Sequence, residues 1–307
     1  MNTFSRRRFL GTAVQTLGAA SIGSFVGRAH ASRAPAITAT ELAPGMTLLD
    51  GAGCNVVAVH GPEGSLLVDG GYAQNSKSLL EAAAKATSNR RVDTLINTHW
   101  HPAQTGSNER IGRDGGLIIA HEHTRLYLGR AVSSADYEGL YGPLPEKARP
   151  TKTTRDKGSI DFGGQHVEYG YLPAAHTDGD LYIHFPEHNL IVAGGPVASQ
   201  SWPLLDFRNG GWLGGLVKAH ETLAALAKPD TRVVPANGRL LTGADIARHH
   251  EMYHRLHEAL IVDLTKGLGA TDMIASRPLK DHEAEFGDST AFLRGAYRSL
   301  ILAYAPD

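Results

Sequence analysis

The chain has 307 residues, of which 42% are hydrophobic and 20% are charged, and its formal net charge at pH 7 is −1. A hydrophobic share of this size is ample for a buried core, and the length suits one large domain or two small ones. The near-neutral charge, without a basic run after the first residues, argues against a nucleic-acid partner.

The first 31 residues have the features of an export signal. Arginines in SRRRFL, residues 5–10, precede a mildly apolar stretch, and Ala29–Ala31 form a small-x-small cleavage site. The arginines match the twin-arginine signal. The alternative, an anchor helix, is disfavoured because the apolar run is short and Gln15 interrupts it. We therefore predict a signal peptide over residues 1–31, a domain over residues 32–307, and an exported, periplasmic protein with no membrane span in its mature part.

Strand-like and helix-like segments then alternate. NVVAVH (55–60) and GSLLVDGG (64–71) are apolar runs separated by a turn signal, which predicts a hairpin. SKSLLEAAAKATS (76–88) has helical spacing, and VDTLINTH (92–99) is typical of a strand that ends at a histidine. GLIIAHEHTRLYLG (116–129) predicts a strand followed by a helix.

The second half continues this pattern. Residues 131–150 are rich in Gly, Pro and Tyr and predict a loop. GSIDFGGQHVEYGYLP (158–173) predicts two strands, and GDLYIHFPEHNLIVAGG (179–195) predicts a hairpin. The last predicted elements are a helix, a strand and a long helix, at residues 215–227, 231–238 and 243–267. Alternating strands and helices, together with hairpins, predict a mixed sheet with helices packed outside it.

Three histidines are candidate metal ligands. His99 and His101 follow a predicted strand, and the loops at strand ends are free to carry chemistry. His176 lies between two later strands. Three imidazoles and one open position make the ligand set of a catalytic zinc, which lowers the pKa of bound water to about 7. The alternative for the His-x-His pair is two partly exposed loop histidines, because the chain has 16 histidines and chance pairs are common.

Four segments resemble landmark segments of the metallo-β-lactamase superfamily. They are GSLLVDGG, VDTLINTHWHPAQTGSN, LPAAHTDGDLYIHFPEHNLIVAGG and VVPANGRLLTG, and the resemblance runs over roughly residues 38 to 245. It implies an α/β fold, namely an αβ/βα four-layer sandwich of two mixed β-sheets with helices on the outer faces. It also implies that the first metal site of the family is intact, with the ligands His99, His101 and His176.

The resemblance implies that the second metal site has been lost. Ala103 and Gln104 stand where the family has an aspartate and a histidine, Asn237 replaces a histidine, and Gly195 replaces a bridging aspartate. A second ion would lack compensating carboxylates, and neutral amide oxygens suit zinc less well than imidazole does. We expect one zinc ion per chain, with Gln104 and Asn237 as polar contacts in the catalytic site. The fourfold variant Ala103→Asp, Gln104→His, Gly195→Asp and Asn237→His is expected to raise the stoichiometry towards two.

Carboxylates near the ligands are candidates for supporting roles. Asp178 or Asp180 is expected to hold a histidine ring by its second nitrogen, as metal-bound histidines usually require. Asp180 is therefore included among the candidate catalytic residues; the alternative for both is turn chemistry. Asp69 is expected to support the site, and its alternative is a turn cap.

Three further features receive structural interpretations. HEMYH, residues 250–254, fits a zinc-protease pattern, but it recurs with His257 at helical spacing and is predicted to be a solvated helix face. The aromatic loop at 201–212 either forms a substrate-facing wall or packs upon itself. Cys54 is predicted to be a small buried hydrophobe.

These features predict an exported zinc-dependent hydrolase that activates water against a small-molecule ester, lactone, lactam or thioester. The alternative is an exported pseudoenzyme or accessory binding protein that keeps the fold without hydrolysis. The sequence carries no indication of an oligomeric state.

Overall fold

A computed structural model describes residues 36–134 and 137–304, so the predicted signal peptide lies outside the described residues. The strands are β1 (Thr38–Ala43), β2 (Met46–Asp50), β3 (Val56–His60), β4 (Ser65–Val68), β5 (Val92–Ile96), β6 (Leu117–His121), β7 (Val132–Ser134), β8 (Tyr137–Tyr141), β9 (Lys152–Thr154), β10 (Lys157–Phe162), β11 (Gln165–Leu172), β12 (Asp180–Phe185), β13 (Leu190–Gly194), β14 (Arg232–Pro235) and β15 (Leu241–Thr242). The α-helices are α1 (Ser76–Thr87), α2 (Pro102–Thr105), α3 (Asn108–Arg113), α4 (Glu122–Leu128), α5 (Leu213–Leu226), α6 (Gly243–Thr265), α7 (Ala270–Ala275), α8 (Glu283–Phe286) and α9 (Thr290–Tyr304). Among the described helices, none is long and apolar enough to cross a membrane.

The first sheet has seven strands in the order β1-β2-β3-β4-β5-β6-β9. Strands β1 to β4 pair antiparallel, whereas β4, β5, β6 and β9 pair parallel. Parallel neighbours need a crossover connection, which α1 supplies between β4 and β5. The sheet is therefore mixed, as the alternation of hairpins and helices predicted.

The second sheet has six strands in the order β10-β11-β12-β13-β14-β15. Its first four strands form an antiparallel meander, and β13 pairs parallel with β14 after the crossover through α5. A separate hairpin of β7 and β8 occupies part of the segment at 131–150. The prediction of a plain loop there was wrong, because a short two-stranded hairpin carries little hydrophobic alternation from which to infer it.

The two sheets face each other across a shared core. Val57 and Val59 of β3 pack in one cluster with Ile183 and Val192 of the second sheet. The intervening Ala58 points to the other face of β3, where it joins the cluster beneath α1. This alternation follows from the two-residue period of a strand. On the far side, α5 and α6 cover the second sheet, which confirms the four-layer sandwich.

A further helical layer follows the sandwich in sequence. The outer side of α6 packs with α7, α8 and α9 in a cluster that includes Leu256, Met273 and Leu293. Leu205, from the long loop between β13 and α5, joins the same cluster. In this loop Trp202 stacks on Phe286, with ring centroids 4.6 Å apart. The C-terminal helices thus brace the loop that runs past the candidate site.

Candidate metal centre

The two histidines of the His-x-His pair lie on a tight turn between β5 and α2. Two hydrogen bonds to the Gln104 carbonyl oxygen fix the turn. Asn97 Nδ2 donates one at 3.0 Å, and the Gly70 amide donates the other at 2.7 Å. Both histidines are buried, with 1% and 2% of their surface exposed for His99 and His101. The alternative of partly exposed loop histidines is therefore wrong.

The three candidate ligands converge on one point. His176, in the loop between β11 and β12, places its Nε2 3.2 Å from His99 Nε2 and 3.0 Å from His101 Nδ1. Three nitrogens that share a tetrahedral zinc, with bonds of 2.0–2.1 Å, stand about 3.3 Å apart. Within the described part of the chain, these three residues are the one group of His, Cys, Asp or Glu whose geometry could hold a metal ion.

Each ring is held by the nitrogen that faces away from this point. His101 Nε2 lies 3.0 Å from Asp206 Oδ2, and His176 Nδ1 lies 2.7 Å from the Leu204 carbonyl oxygen. Because these oxygens only accept, the outer nitrogen of each ring carries the proton. With the proton on the outer nitrogen, the inner nitrogen of each ring can direct a lone pair towards the common point.

The third ring is fixed through a relay. The Thr98 hydroxyl donates to Asp69 Oδ2 at 2.8 Å and lies 3.0 Å from His99 Nδ1, from which it therefore accepts. Burial, followed by the adjacent rings of His176 and His101, lowers the pKa of His99 well below its ordinary value. Three inward lone pairs at this spacing repel one another, so the arrangement suits a cation that they share.

Asp69 supports the site through Thr98, in agreement with its predicted role. It has a φ of 67° at the end of β4, and its second carboxylate oxygen accepts from the Thr98 amide at 2.8 Å. Burial raises the pKa of Asp69 to about 7, against the lowering effect of both hydrogen bonds from Thr98. The residue fixes both the backbone and the hydroxyl that precede His99.

Asp180 lies at the start of β12 and is completely buried. Its carboxylate accepts hydrogen bonds from the backbone amides of His176 and Thr177, at 2.7 and 2.8 Å, and from the Thr177 hydroxyl. Burial raises its pKa to about 8, although the hydrogen bonds oppose this. Asp180 therefore shapes the loop that carries His176, and it is absent from the lining of the cavity beside the histidines. Its catalytic role stays a prediction.

The ring-holding carboxylate is Asp206, which the sequence reasoning missed. The expectation that Asp178 or Asp180 holds a ligand ring was wrong: Asp178 pairs with His123 at 3.2 Å, away from the ligands. Burial raises the pKa of Asp206, but the hydrogen bonds from His101 and Asn209 outweigh it and hold the pKa below its ordinary value. Asp206 lies in a long irregular loop, where no periodic pattern singles it out.

A small cavity of about 190 Å³ opens beside the three histidines. Gln104 and Asn237 line it, together with Ala103 and Trp202. With its amide in the orientation that satisfies both side-chain atoms, the Asn237 nitrogen donates to the carbonyl oxygens of Gly53 and Ala236 at 3.2 and 3.1 Å. Among the described residues, no carboxylate lines this cavity. That Gln104 and Asn237 contact a substrate stays a prediction.

Residues 49–266 match the family model of the metallo-beta-lactamase superfamily. The chain belongs to the metallo-beta-lactamase superfamily. A linear primary-alkylsulfatase of Pseudomonas sp. is 20% identical over 282 residues, which cover 79% of this chain and 52% of that protein. The alpha subunit of a 2,4-dinitroanisole O-demethylase from Nocardioides sp. is 29% identical over 146 residues, 47% of this chain and 41% of that one. The chain thus spans about half the length of the curated relatives it matches.

Solved structures show the same superfamily fold. A metallo-beta-lactamase from Pontibacter korlensis superposes with a TM-score of 0.58 at 19% identity, covering 71% of this chain and 99% of that one. A stereoselective inverting sec-alkylsulfatase from Pseudomonas sp. superposes with a TM-score of 0.62 at 13% identity, covering 88% of this chain and 50% of that one. These neighbours establish the fold of the superfamily for this chain.

The ring of His176 lies against Gly195, the position at which the superfamily has an aspartate. A Cβ atom at Gly195 would overlap Cδ2 of the His176 ring and lie 2.7 Å from its Nε2. In this chain the ring of His176 fills the space where a side chain at position 195 would begin. A side chain at position 195 would therefore require the ring of His176 to shift.

Cys54, the histidines of HEMYH and the aromatic loop lie at three separate places in the fold. The Cys54 thiol is buried and donates to the Ala103 carbonyl at 2.9 Å, and burial raises its pKa well above the ordinary value. His250 and His254 lie on α6, outside the three-histidine cluster. Trp202 lines the cavity and also packs against the C-terminal helices rather than upon its own loop; that it faces a substrate stays a prediction.

Proposed function

We propose that this metallo-beta-lactamase superfamily member is a hydrolase that holds one zinc ion on His99, His101 and His176. The observation that carries this proposal is the convergence of three ring nitrogens whose outer partners leave their lone pairs inward. The donor set fits the ion, because imidazole nitrogens are preferred zinc ligands and the spacing is close to that of a tetrahedral site. When bound, the ion supplies Lewis-acid activation of water.

The other residues around the site orient the histidine rings and the substrate. Asp206 fixes the ring of His101, while Asp69 fixes that of His99 through Thr98. We assign to Gln104 and Asn237, which line the cavity, the role of orienting a substrate carbonyl or its leaving group. Because no carboxylate among the described residues lines the cavity, none is placed there to orient the attacking water, and we expect turnover to be weak or narrow.

The substrate that we propose is a small ester, lactone, lactam or thioester. The cavity volume of about 190 Å³ admits the reacting end of such a molecule rather than a large body. The alkylsulfatase among the relatives adds sulfate esters to the candidate substrates.

The test is a hydrolysis assay with chromogenic acetate and sulfate esters, a lactone and a β-lactam, using protein saturated with zinc. The wild type is expected to turn over at least one of them, and His176→Ala is expected to reduce that rate by about 100-fold or more. His250→Ala is the matched control, because this histidine lies outside the cluster. Equal rates for wild type and His176→Ala would refute the assigned site.

The second candidate is a pseudoenzyme that keeps the fold and a metal without hydrolysis. The observation that favours it is the lack of a carboxylate in the described lining of the cavity. Full zinc occupancy with no turnover across the substrate panel would support it over the hydrolase.

Export by the twin-arginine route remains part of the proposal, resting on residues 5–10 and the cleavage motif at 29–31. The paired substitution Arg6→Lys and Arg7→Lys is expected to stop the mature form from reaching the periplasm. Unchanged export of this variant would contradict the assignment.

A further inference from the structure

A second, larger cavity lies outside the metal centre. It is a groove of about 710 Å³ between the loop that follows β13 and helix α9. Trp202 and Phe207 line its loop side, and Phe286 and Phe292 line its helical side. Trp202 stacks on both of the latter, with centroids 4.6 and 5.2 Å away. Its volume is that of a small-molecule site, and its aromatic surface suits an apolar ligand.

One rim of this groove carries positive charge. Arg294 and Arg298 lie one helical turn apart on α9, and both line the groove. The guanidinium of Arg298 lies 5.9 Å from the centre of the Phe207 ring. In residues 36–134 and 137–304, neither arginine forms an ion pair with a carboxylate. The acid in the lining, Asp288, accepts a hydrogen bond from the Thr290 amide at the start of α9.

A glycine keeps the helical wall of the groove open. Gly295 follows Arg294 on α9 and lines the groove, and no atom stands within 4 Å of a Cβ placed on it. Glycine inside a helix is less favourable than alanine, and packing does not require it here. The open space at Gly295 is therefore part of the groove volume.

We propose that this groove binds an amphiphilic monoanion. The aliphatic or aromatic body of the ligand lies on Trp202, Phe207 and Phe292, and a carboxylate or sulfate head lies against Arg294 and Arg298. The choice of a singly charged anion follows from charge complementarity, because the lining carries one acid and two arginines that form no ion pair with a carboxylate among the described residues. This site is separate from the metal centre, and it shares the segment 201–204 with the metal cavity as a common wall.

The experiment is a calorimetric titration of decanoate into the full chain, purified with its metal. The expected result is one decanoate per chain. Gly295→Leu fills the groove and is expected to weaken binding at least tenfold, whereas Gly295→Ala, which adds one methyl group, has a smaller effect. The double variant Arg294→Gln/Arg298→Gln is expected to weaken binding at least tenfold and to remove most of its salt dependence.

Two controls locate the ligand. Decanol, which lacks the charge, is expected to bind at least tenfold more weakly than decanoate, and equal binding would overturn the anionic assignment. His176→Ala is expected to keep decanoate binding. Loss of binding in His176→Ala, with full binding in Gly295→Leu, would place the carboxylate in the metal cavity and overturn the proposal. The urea midpoint of unfolding of Gly295→Leu is expected to be unchanged or higher than that of the wild type. The arginine double variant gives a second test that does not depend on packing, because both arginines are exposed.

Discussion

Gly195 and His176 are so close that a side chain on the first would occupy the space of the second. A Cβ at Gly195 would lie 2.6 Å from Cγ of the His176 ring, and real Cβ contacts of this kind are not observed. The ring cannot retreat freely, because its Nδ1 is bound to the Leu204 carbonyl at 2.7 Å. The presence of a glycine at this position is therefore a condition for the observed position of the His176 ring, a candidate metal ligand.

The first prediction follows from this contact. Gly195→Ala is expected to displace the His176 ring and to weaken zinc binding by at least about tenfold, because ligand geometry controls affinity. Zinc affinity is measured by competition with a chromogenic chelator. Gly295→Ala is the matched control, since a Cβ there meets no atom within 4 Å. Equal zinc affinities for the two variants would contradict the contact.

The same contact corrects the expectation for the restored second site. The fourfold variant includes Gly195→Asp, whose Cβ would force the ring of His176 to shift. It is expected to bind less zinc than the wild type, rather than two ions. The threefold variant Ala103→Asp, Gln104→His and Asn237→His leaves Gly195 intact and is expected to keep the first ion. A fourfold variant with two bound ions would show that the ring of His176 can move.

The second prediction concerns the carboxylate that holds His101. Asp206→Asn keeps the shape of the side chain but removes the negative charge of the carboxylate. Its Oδ2 accepts a hydrogen bond from His101 Nε2 at 3.0 Å. Zinc affinity is expected to fall by about 10- to 100-fold, the usual effect of losing such a partner. Asp178→Asn is the control, because Asp178 pairs with His123 instead. If the two variants lose equal affinity, Asp206 has no special role in holding the ligand.

The third prediction concerns the brace between the loop and the C-terminal helices. Trp202→Ala removes the stacking on Phe286 and Phe292 and is expected to lower the free energy of unfolding by about 2–3 kcal/mol. Trp202→Phe keeps an aromatic ring and is expected to lose about half as much. The measurement is urea denaturation followed by circular dichroism. A Trp202→Ala variant as stable as the wild type would show that the stack does not hold the loop.

The fourth prediction is a loss of stability in acid that arises from His220. This residue is buried on α5, and burial lowers its pKa to about 3, below the value of about 6.5 in an unfolded chain. As the pH falls below 6.5, the unfolded chain binds a proton that the folded chain does not, so stability falls with pH. Between pH 8 and pH 5 this histidine alone contributes a loss of about 2 kcal/mol.

The check is the difference in unfolding free energy between pH 8 and pH 5 in two variants. His220→Leu is expected to shrink this difference by about 2 kcal/mol, whereas His254→Leu, on the exposed side of α6, is expected to leave it unchanged. His249, whose pKa burial lowers to about 4, remains in the variant and preserves part of the loss. An unchanged difference in His220→Leu would contradict the burial effect.

The three histidines that converge could be predicted from the sequence because each follows a strand that has a clear apolar pattern. Val92–Ile96 ends just before His99, and His176 stands between two strands with strong alternation. Strand ends are topologically fixed points, so ligands attached to them can be found from pattern and family resemblance. The mixed sheets and most helices were predictable because their segments also have clear apolar patterns.

The features that the sequence did not predict depend on segments without regular secondary structure. Asp206 reaches His101 across 105 positions, from a loop whose course is set by Trp202 and the helices α7 to α9. No local periodicity encodes that path. The replacement of an aspartate by Gly195 was visible in the sequence, but the overlap with His176 required the backbone geometry. Both are tertiary relationships between segments without regular structure.

The measurement that tests the account most directly is the zinc content of the purified full chain, determined together with that of its single histidine variants. We expect one zinc ion per chain in the wild type and in His250→Ala, and strong loss of zinc in His99→Ala, His101→Ala and His176→Ala. Two ions per wild-type chain, or an undiminished single ion in His176→Ala, would contradict the three-histidine centre.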